Sequence, residues 1–503
     1  MQATFDVVVA GCGVAGLSAA VAAAQAGARV CVLERAPREE RGGQSRYTEA
    51  YLRMKSESEV TDDFEVHLSE NCSGYIDPEL IEEASRSPGE RVAAARALSL
   101  ADPDFIQHFA DQAGPAVQWM KTHGVRFDFL PTQFLTSSQP RLLPVGGGAA
   151  MVDALASKAE HLGVTFHYRT TALSLVHDGD GRVSGLVAKG PGGRVELSGR
   201  VILACGGFEG SAEMLARYLG PRSVYLRPIC RGAYFNRGEG LRMALDAGAA
   251  TAGDFGSYHA EPIDPRAGGS EPSVFIFPYG ILVNKAGRRF VDEAPGTVDA
   301  YYERITRRMY EQEDGLAWTI LDAKHLRIPN YRLAIRTDKP PVVADSIDAL
   351  ARAIEVPCDA LRHTVGEFNA ACVPGRFEPL KLDGLATNGL APPKSNWAQP
   401  LDTPPFHAYP IISANVFTFG GLKVDHDARV LDGDGNAIDG LYAAGEIIGT
   451  YYRHYTGATS VLKGMVFGRL AGMHAARNPG AAPGSDRRMG GDQPAGSGAK
   501  AAS

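Results

Sequence analysis

A chain of 503 residues, 44% hydrophobic and 22% charged, carries enough apolar surface for two cores and is neither disordered throughout nor fibrous. Its 51 Lys+Arg stand against 58 Asp+Glu, a net charge of −7 with no basic block, which excludes the electrostatic footprint of a nucleic-acid binder. Seven scattered cysteines without a C-x-x-C pair fit a reducing cytosol and argue against a disulfide scaffold, a zinc site or a cysteine-bound iron–sulfur cluster.

No stretch reaches the roughly 18–20 uninterrupted apolar residues of a membrane span, and the N-terminus lacks the charged flank and cleavage site of a signal peptide, so a cytoplasmic protein is expected. Residues 5–10 form a short β-branched run that suits a buried parallel strand. Gly11-Cys12-Gly13-Val14-Ala15-Gly16 turns it into an Ala-rich helix ending near Gly27, and residues 29–34 supply a second strand. The glycines of Gly11-x-Gly13-x-x-Gly16 permit a tight turn and let a pyrophosphate approach backbone N–H groups at the helix start, where Val14 and Ala15 lie. Glu34, 18 residues after Gly16, is placed to accept hydrogen bonds from an adenosine ribose, with Arg35 beside it. A ligand-free glycine turn is the alternative; strand, helix and acid in register favour a dinucleotide.

A second α/β stretch spans 148–207: a helix at 151–162, a strand at 164–168, a hairpin turning at Asp178-Gly179-Asp180-Gly181, and a strand at 201–205 closed by Gly206-Gly207. Ala172, Ala204 and Gly206 join the cofactor set from this stretch. Between 254 and 405, helical segments at 297–312 and 346–355 alternate with Pro-rich connections, which reads as an inserted second domain. Strand-like residues return at Leu422-Lys423-Val424, a turn follows at Asp432-Gly433-Asp434-Gly435, and Leu441-Tyr442-Ala443-Ala444 runs into Gly445-Glu446 and a last helix at 460–476. The expected division is 1–253 with 406–477 as one domain and 254–405 as the other. From 478 to 503, 18 of 26 residues are Gly, Pro, Ala or Ser, a tail expected to be disordered. Asp432-x-Asp434-x-Asn436 fails as a calcium loop, with Ala437 and Ala443 at its sixth and twelfth positions, and no metal site is expected.

Arg41-Gly42-Gly43-Gln44-Ser45 after the second strand, and Tyr442-Ala443-Ala444-Gly445-Glu446 near the end, make a more specific pattern. Over nearly its whole length the chain resembles the fumarate reductase/succinate dehydrogenase flavoprotein superfamily. It is most similar to the FAD-dependent tricarballylate dehydrogenase group through Gly42-Gly43-Gln44-Ser45-Arg46-Tyr47-Thr48, Phe419-Gly420-Gly421-Leu422-Lys423-Val424-Asp425 and Tyr455-Thr456-Gly457-Ala458-Thr459-Ser460-Val461-Leu462. The resemblance implies an α/β fold, a Rossmann-like FAD-binding domain of the GR2 type carrying an inserted α+β cap, with Gly42, Gly43, Gln44, Ser45, Gly445, Glu446, Ser460, Val461 and Leu462 around the flavin. Gln44 stands where membrane-bound members carry a flavin-linking histidine, which implies non-covalent FAD.

The resemblance also implies a substrate between the FAD domain and the cap, oxidised by loss of a hydride to the flavin and a proton from the neighbouring carbon. His259 matches a substrate-carboxylate histidine; Arg289 and Glu293 fall in a segment whose glutamate belongs to a proton pathway; Arg453, His454 and Tyr455 precede the last helix where a carboxylate-binding arginine is placed. Each has a plainer alternative: an exposed loop histidine, a hairpin salt bridge, a solvent-facing arginine. Gly296, and the apolar Val416-Phe417, replace an arginine and a histidine of fumarate reductases, and Arg327 is only the nearest counterpart of their cap arginine. The implied activity is therefore dehydrogenation of a CH–CH bond in a small-molecule carboxylate, tricarballylate to cis-aconitate in the most similar group. A tyrosine proton acceptor and a ketosteroid- or cyclic-ketone-type reaction form the rival, and a non-catalytic flavin-binding scaffold is a third reading. Electrons would pass to a separate acceptor, a membrane or iron–sulfur protein in this family.

Overall fold

In the computed structural model, which describes residues 2–70, 102–477 and, between them, 82–83, 86–87, 90–92 and 95–96, the first unit is built as its local sequence dictates. It runs β1 (Gln2–Ala10), α1 (Val14–Gln25), β2 (Val30–Leu33), α2 (Gly147–His161), β3 (Thr165–His167), β4 (Thr171–His177), β5 (Val183–Gly190) and β6 (Gly193–Leu203). β1 lies parallel between β2 and β6, and β3 extends the sheet beyond β2. Val7, Val8 and Val9 are fully buried, as the lack of apolar–polar alternation requires. The β4–β5 hairpin hangs from β6.

The inserted region carries β7 (Tyr258–Ile263), β8 (Ile281–Asn284), α3 (Val298–Tyr310), β9 (Leu316–Leu321), β10 (Val342–Ala344), α4 (Cys358–Ala371) and β11 (Phe406–Thr418). They make a second, six-stranded sheet in the order β7-β11-β9-β8, with β10 and the short strand Arg227–Pro228 also on β11. α3 packs on β7 and β11. The chain then returns to the first sheet through β12 (Arg429–Leu431) and β13 (Ala437–Ala443), the latter parallel to β6, and ends its described part with α5 (Ser460–Arg477) along α1. Among the described residues no helix is long and apolar enough to cross a membrane. The expected disordered tail lies outside the described residues.

Two differences from the sequence reading have physical causes. Residues 406–418, placed with the first domain, are the central strand of the inserted sheet, hydrogen-bonded to β7, β9 and β10. Eleven of its 13 residues are buried, so it shows no alternation, and Pro410 inside it imitates a loop. The expected helix at 346–355 is shorter, Ile347–Ala353, capped by Ser346 whose Oγ accepts from Ala349 N at 3.2 Å, and α4 follows it unforeseen.

Candidate active site

The parallel strand ends of β1 and β6 and the start of α1 define the site. Gly11 leaves β1 at φ +112°, and Gly13 caps α1 without a side chain; the first turn of α1 holds no acid. The partial positive charge of these amides is left for an external anion. The Ser45 hydroxyl accepts from Val14 N at 3.2 Å and ties the Gly42–Ser45 turn to the same helix start. Above them opens a cleft of about 1370 Å³, including space open to solvent. Every cofactor residue expected from the sequence lines it except Gly16 and Leu462. Gly16 backs onto the Gly11 carbonyl from within α1, and Leu462 is fully buried in the core.

Glu34 closes β2 with its carboxylate held by two amides, Ala36 N at 2.8 Å and Cys12 N at 3.1 Å. Burial pushes its pKa up and the amides pull it down, and it stays on the cleft wall as an acceptor. Glu446, on the cleft wall, also ties two elements together. Its carboxylate accepts from Thr418 N at 2.9 Å and from Gln44 Nε2 at 3.3 Å, so it holds the end of β11 to the Gln44 turn. Gln44 and Asn236 also donate to Glu209, which is 1% exposed. Burial first, then the neighbouring Glu446, raises the Glu209 pKa well above its ordinary value. Lys463 lines the cleft with its Nζ on Ile448 O at 2.7 Å; burial brings its pKa down to about 7 against the pull of Glu446. Glu209, Asn236 and Lys463 had no sequence signal, because each acquires its meaning from partners far along the chain.

Phe417 connects the cleft to an aromatic box between the two sheets. His259 of β7 lies 4.3 Å from the Tyr455 ring and 5.1 Å from Phe417, centroid to centroid, and its Nε2 is 2.7 Å from the Tyr302 hydroxyl. Phe134 and Phe275 each pack 5.3 Å from Tyr302. His259 is buried, with Nδ1 lacking a partner, and burial followed by the nearby Arg307 holds its pKa well below the usual value. A neutral His259 can offer a substrate a hydrogen bond.

Of the other expected catalytic residues, Tyr455 reaches the box with its ring, and Arg289, Glu293, Arg453 and His454 have other surroundings. Arg289 and Glu293 form a bidentate pair inside the cap, Nε–Oε1 2.9 Å and Nη2–Oε2 2.7 Å, and line no part of the cleft. Arg453 is exposed. His454 Nδ1 sits 3.1 Å from Glu303 on α3. Tyr455 contributes its ring, while its hydroxyl accepts from Thr459 N and Ser460 N, both at 3.1 Å, and so caps α5. Arg141, which the sequence reading passed over, is buried against Asp299 of α3 at 2.9 Å, in the electrostatic reach of Tyr302 and Tyr455.

A family model described as an FAD binding domain matches residues 6–462. The vinyl phenol reductase of Lactiplantibacillus plantarum is 27% identical, covering 94% of this chain and 97% of its own. A fumarate reductase (cytochrome) of Shewanella frigidimarina is 26% identical over 94% of this chain and 77% of its own. Among solved structures, the 3-ketosteroid-Δ4-(5α)-dehydrogenase of Rhodococcus jostii RHA1, in complex with 4-androstene-3,17-dione, superposes with a TM-score of 0.67 at 27% identity, over 95% of this chain and 97% of that one. The uncapped helix start, the crowded Gly11 turn and the acid at the end of β2 fit the same cofactor. The chain belongs to the FAD binding domain family, and is an FAD-dependent oxidoreductase acting on CH–CH groups.

Proposed function

We propose that this flavoprotein dehydrogenates a CH–CH bond next to a carbonyl in a ring-shaped substrate. The aromatic box carries the reading: four rings surround the Tyr302–His259 hydrogen bond, and both of those groups are neutral when buried. Flat apolar walls hold a ring and exclude water, and the Tyr302 hydroxyl, oriented by His259, is placed to donate to a carbonyl oxygen as negative charge develops there. The amides at the start of α1 would hold the pyrophosphate of FAD, and Glu34 its ribose. When bound, FAD supplies the hydride acceptor, and a separate redox partner takes the electrons onward.

Turnover of cyclic ketones, with an artificial electron acceptor, should exceed turnover of di- and tricarboxylates by at least about tenfold in kcat/KM. The reverse order would support the second reading, a polycarboxylate such as tricarballylate. That reading rests on Arg141, whose Nη1 meets only backbone carbonyls, Pro140 O at 3.1 Å and Gln139 O at 3.4 Å. Under it, Arg141→Lys should abolish most turnover, since lysine lacks the planar fork that grips a carboxylate.

The flavin itself should be non-covalent. The Gln44 amide is a poor nucleophile and is already engaged with Glu209 and Glu446. Acid precipitation of the yellow protein should leave all flavin absorbance in the supernatant; colour in the pellet would refute this.

A further inference from the structure

Two carboxyl groups meet at the cleft wall, one from the loop after β6 and one from the turn after β13. Glu209 is 1% exposed and its Oε2 has no partner, while Glu446 is on the wall itself. Gln44 and Asn236, which line the cleft beside Glu446, clamp the two acids together. The Gln44 amide nitrogen donates to Glu209 Oε1 and lies 3.3 Å from Glu446 Oε2. The Asn236 amide nitrogen donates to the same Glu209 oxygen and lies 3.4 Å from the same Glu446 oxygen. The carboxyl groups are also within hydrogen-bond reach of each other. An ionised carboxylate only accepts, so a hydrogen bond between two of them needs a proton. Placed on Glu209, that proton also gives Oε2 its bond, where a buried carboxylate oxygen without a donor would be costly. Glu446 Oε1, by contrast, is already supplied by Thr418 N at 2.9 Å.

We propose that Glu209 and Glu446 share a single proton, carried on Glu209, and that the cleft accepts FAD only while the pair retains it. The pair acts in this way whichever substrate is oxidised. Gly445, the neighbour of Glu446, backs onto the first turn of α1, where a Cβ on Gly445 would lie 2.8 Å from the Ala15 Cβ. Glu446 therefore stands near the amides that would take the pyrophosphate, a doubly charged anion, and Glu34 already places a carboxyl group on the same wall. Loss of the shared proton would set one more negative charge against that anion in a site of low dielectric. Burial, then the charge of Glu446, raises Glu209; burial also raises Glu446, but the bonds from Glu209 and Thr418 N and the charge of Lys463 draw it back. Facing the pair from other elements are Lys463 of α5, with Nζ on Ile448 O at 2.7 Å, and Cys230 beyond the Arg227–Pro228 strand. Gln44, Asn236 and Thr418, which touch the pair, are neutral. FAD favours the protonated pair, so affinity is full while the proton is held. It falls as pH rises through the loss of that proton, by up to about tenfold per pH unit.

The test compares FAD binding by the wild-type apoprotein and by Glu209→Gln, an isostere of the protonated acid. Near neutral pH the two dissociation constants should agree within about threefold. With rising pH the wild-type constant should climb with a slope one proton steeper than that of the variant. Calorimetry in buffers of different ionisation enthalpy should find, at alkaline pH, up to one more proton taken up per FAD by wild type. Infrared spectra of the FAD-loaded wild type should carry a band from an un-ionised buried carboxyl that Glu209→Gln lacks. Equal slopes and equal proton uptake would assign any pH dependence to Lys463 and overturn the proposal, as would a carboxyl band that survives the substitution. Binding by Glu209→Gln weakened at least about tenfold near neutral pH would also overturn it, since the acid and not its proton would then be required. Should Glu209→Gln not fold, Glu446→Gln is measured instead. Its one remaining acid reaches only the charge that wild type carries with the proton in place, so the alkaline slope should flatten in the same way, and an unflattened slope counts against the pair.

Discussion

Glu293→Gln should destabilise the cap by roughly 3–5 kcal/mol and leave the chemistry of the surviving protein nearly intact. The Glu293 carboxylate is fully buried and takes two hydrogen bonds from Arg289, at 2.9 and 2.7 Å, and a third from Leu282 N at 3.0 Å. Lys394, equally buried, lies 3.8 Å away with its Nζ on the carbonyls of Pro278 and Gly280 at 2.6 and 2.9 Å. Burial already depresses Lys394 to about 8, with Glu293 the main force opposing it. Glutamine preserves the shape but not the charge, so Arg289 and Lys394 lose the one carboxylate between them. Removing one partner of a buried pair costs far more than the pair itself contributes, because the remaining charge is stranded. At about 2–4 °C per kcal/mol for a unit of this size, thermal unfolding should move down by roughly 6–20 °C. Activity measured well below the transition should stay within about threefold of wild type. An unchanged melting temperature with activity lost a hundredfold would instead assign Glu293 the proton-pathway role implied by resemblance.

How much of this was legible follows from the range over which each feature is specified. The β1–α1–β2 unit was readable because its turn chemistry is local: Gly11, Gly13, Gly16 and Glu34 fall within 24 residues and meet their partners there. The Arg289–Glu293 pair could be read as a hairpin salt bridge, yet nothing in its spacing said that it faces the cap interior rather than the cleft. The aromatic box draws Phe134, His259, Phe275, Tyr302, Phe417 and Tyr455 from six separate segments, and no window of sequence contains its pattern. Gln44 likewise finds Glu209 across 165 residues and Glu446 across 402, so two motif residues and a glutamate outside any motif become one buried network only after folding. β11 was hidden for the opposite reason: buried along nearly all its length, it shows no two-residue period, and Pro410 breaks its apolar run.

Gly11→Ala should yield a protein that cannot retain FAD. The residue sits at φ +112°, a conformation that side-chain-bearing residues scarcely populate, so the substitution is strained before any contact is made. A Cβ there would lie 2.2 Å from the Ala204 carbonyl oxygen and 2.7 Å from its carbon. That carbonyl cannot retreat easily, because Ala204 N donates to Ala10 O at 2.8 Å and anchors the end of β6 to the end of β1. Relief must come from opening the turn, which moves the start of α1 and its amides away from the pyrophosphate position. A displacement that weakens FAD binding at least about 10²-fold corresponds to roughly 2.7 kcal/mol. The same quantity appears in stability, since a ligand at 100 times its Kd adds about 2.7 kcal/mol to the folded state. Added FAD should therefore raise the melting temperature of the wild-type apoprotein by several degrees and leave Gly11→Ala unmoved. Gly13→Ala provides the contrast, with φ −75° and a Cβ that would meet only the Ser45 Oγ at 3.3 Å and the Gly42 carbonyl at 3.5 Å. It should keep measurable FAD binding, so that equal loss in both variants would point to general sensitivity of the loop rather than to the collision between Gly11 and the end of β6.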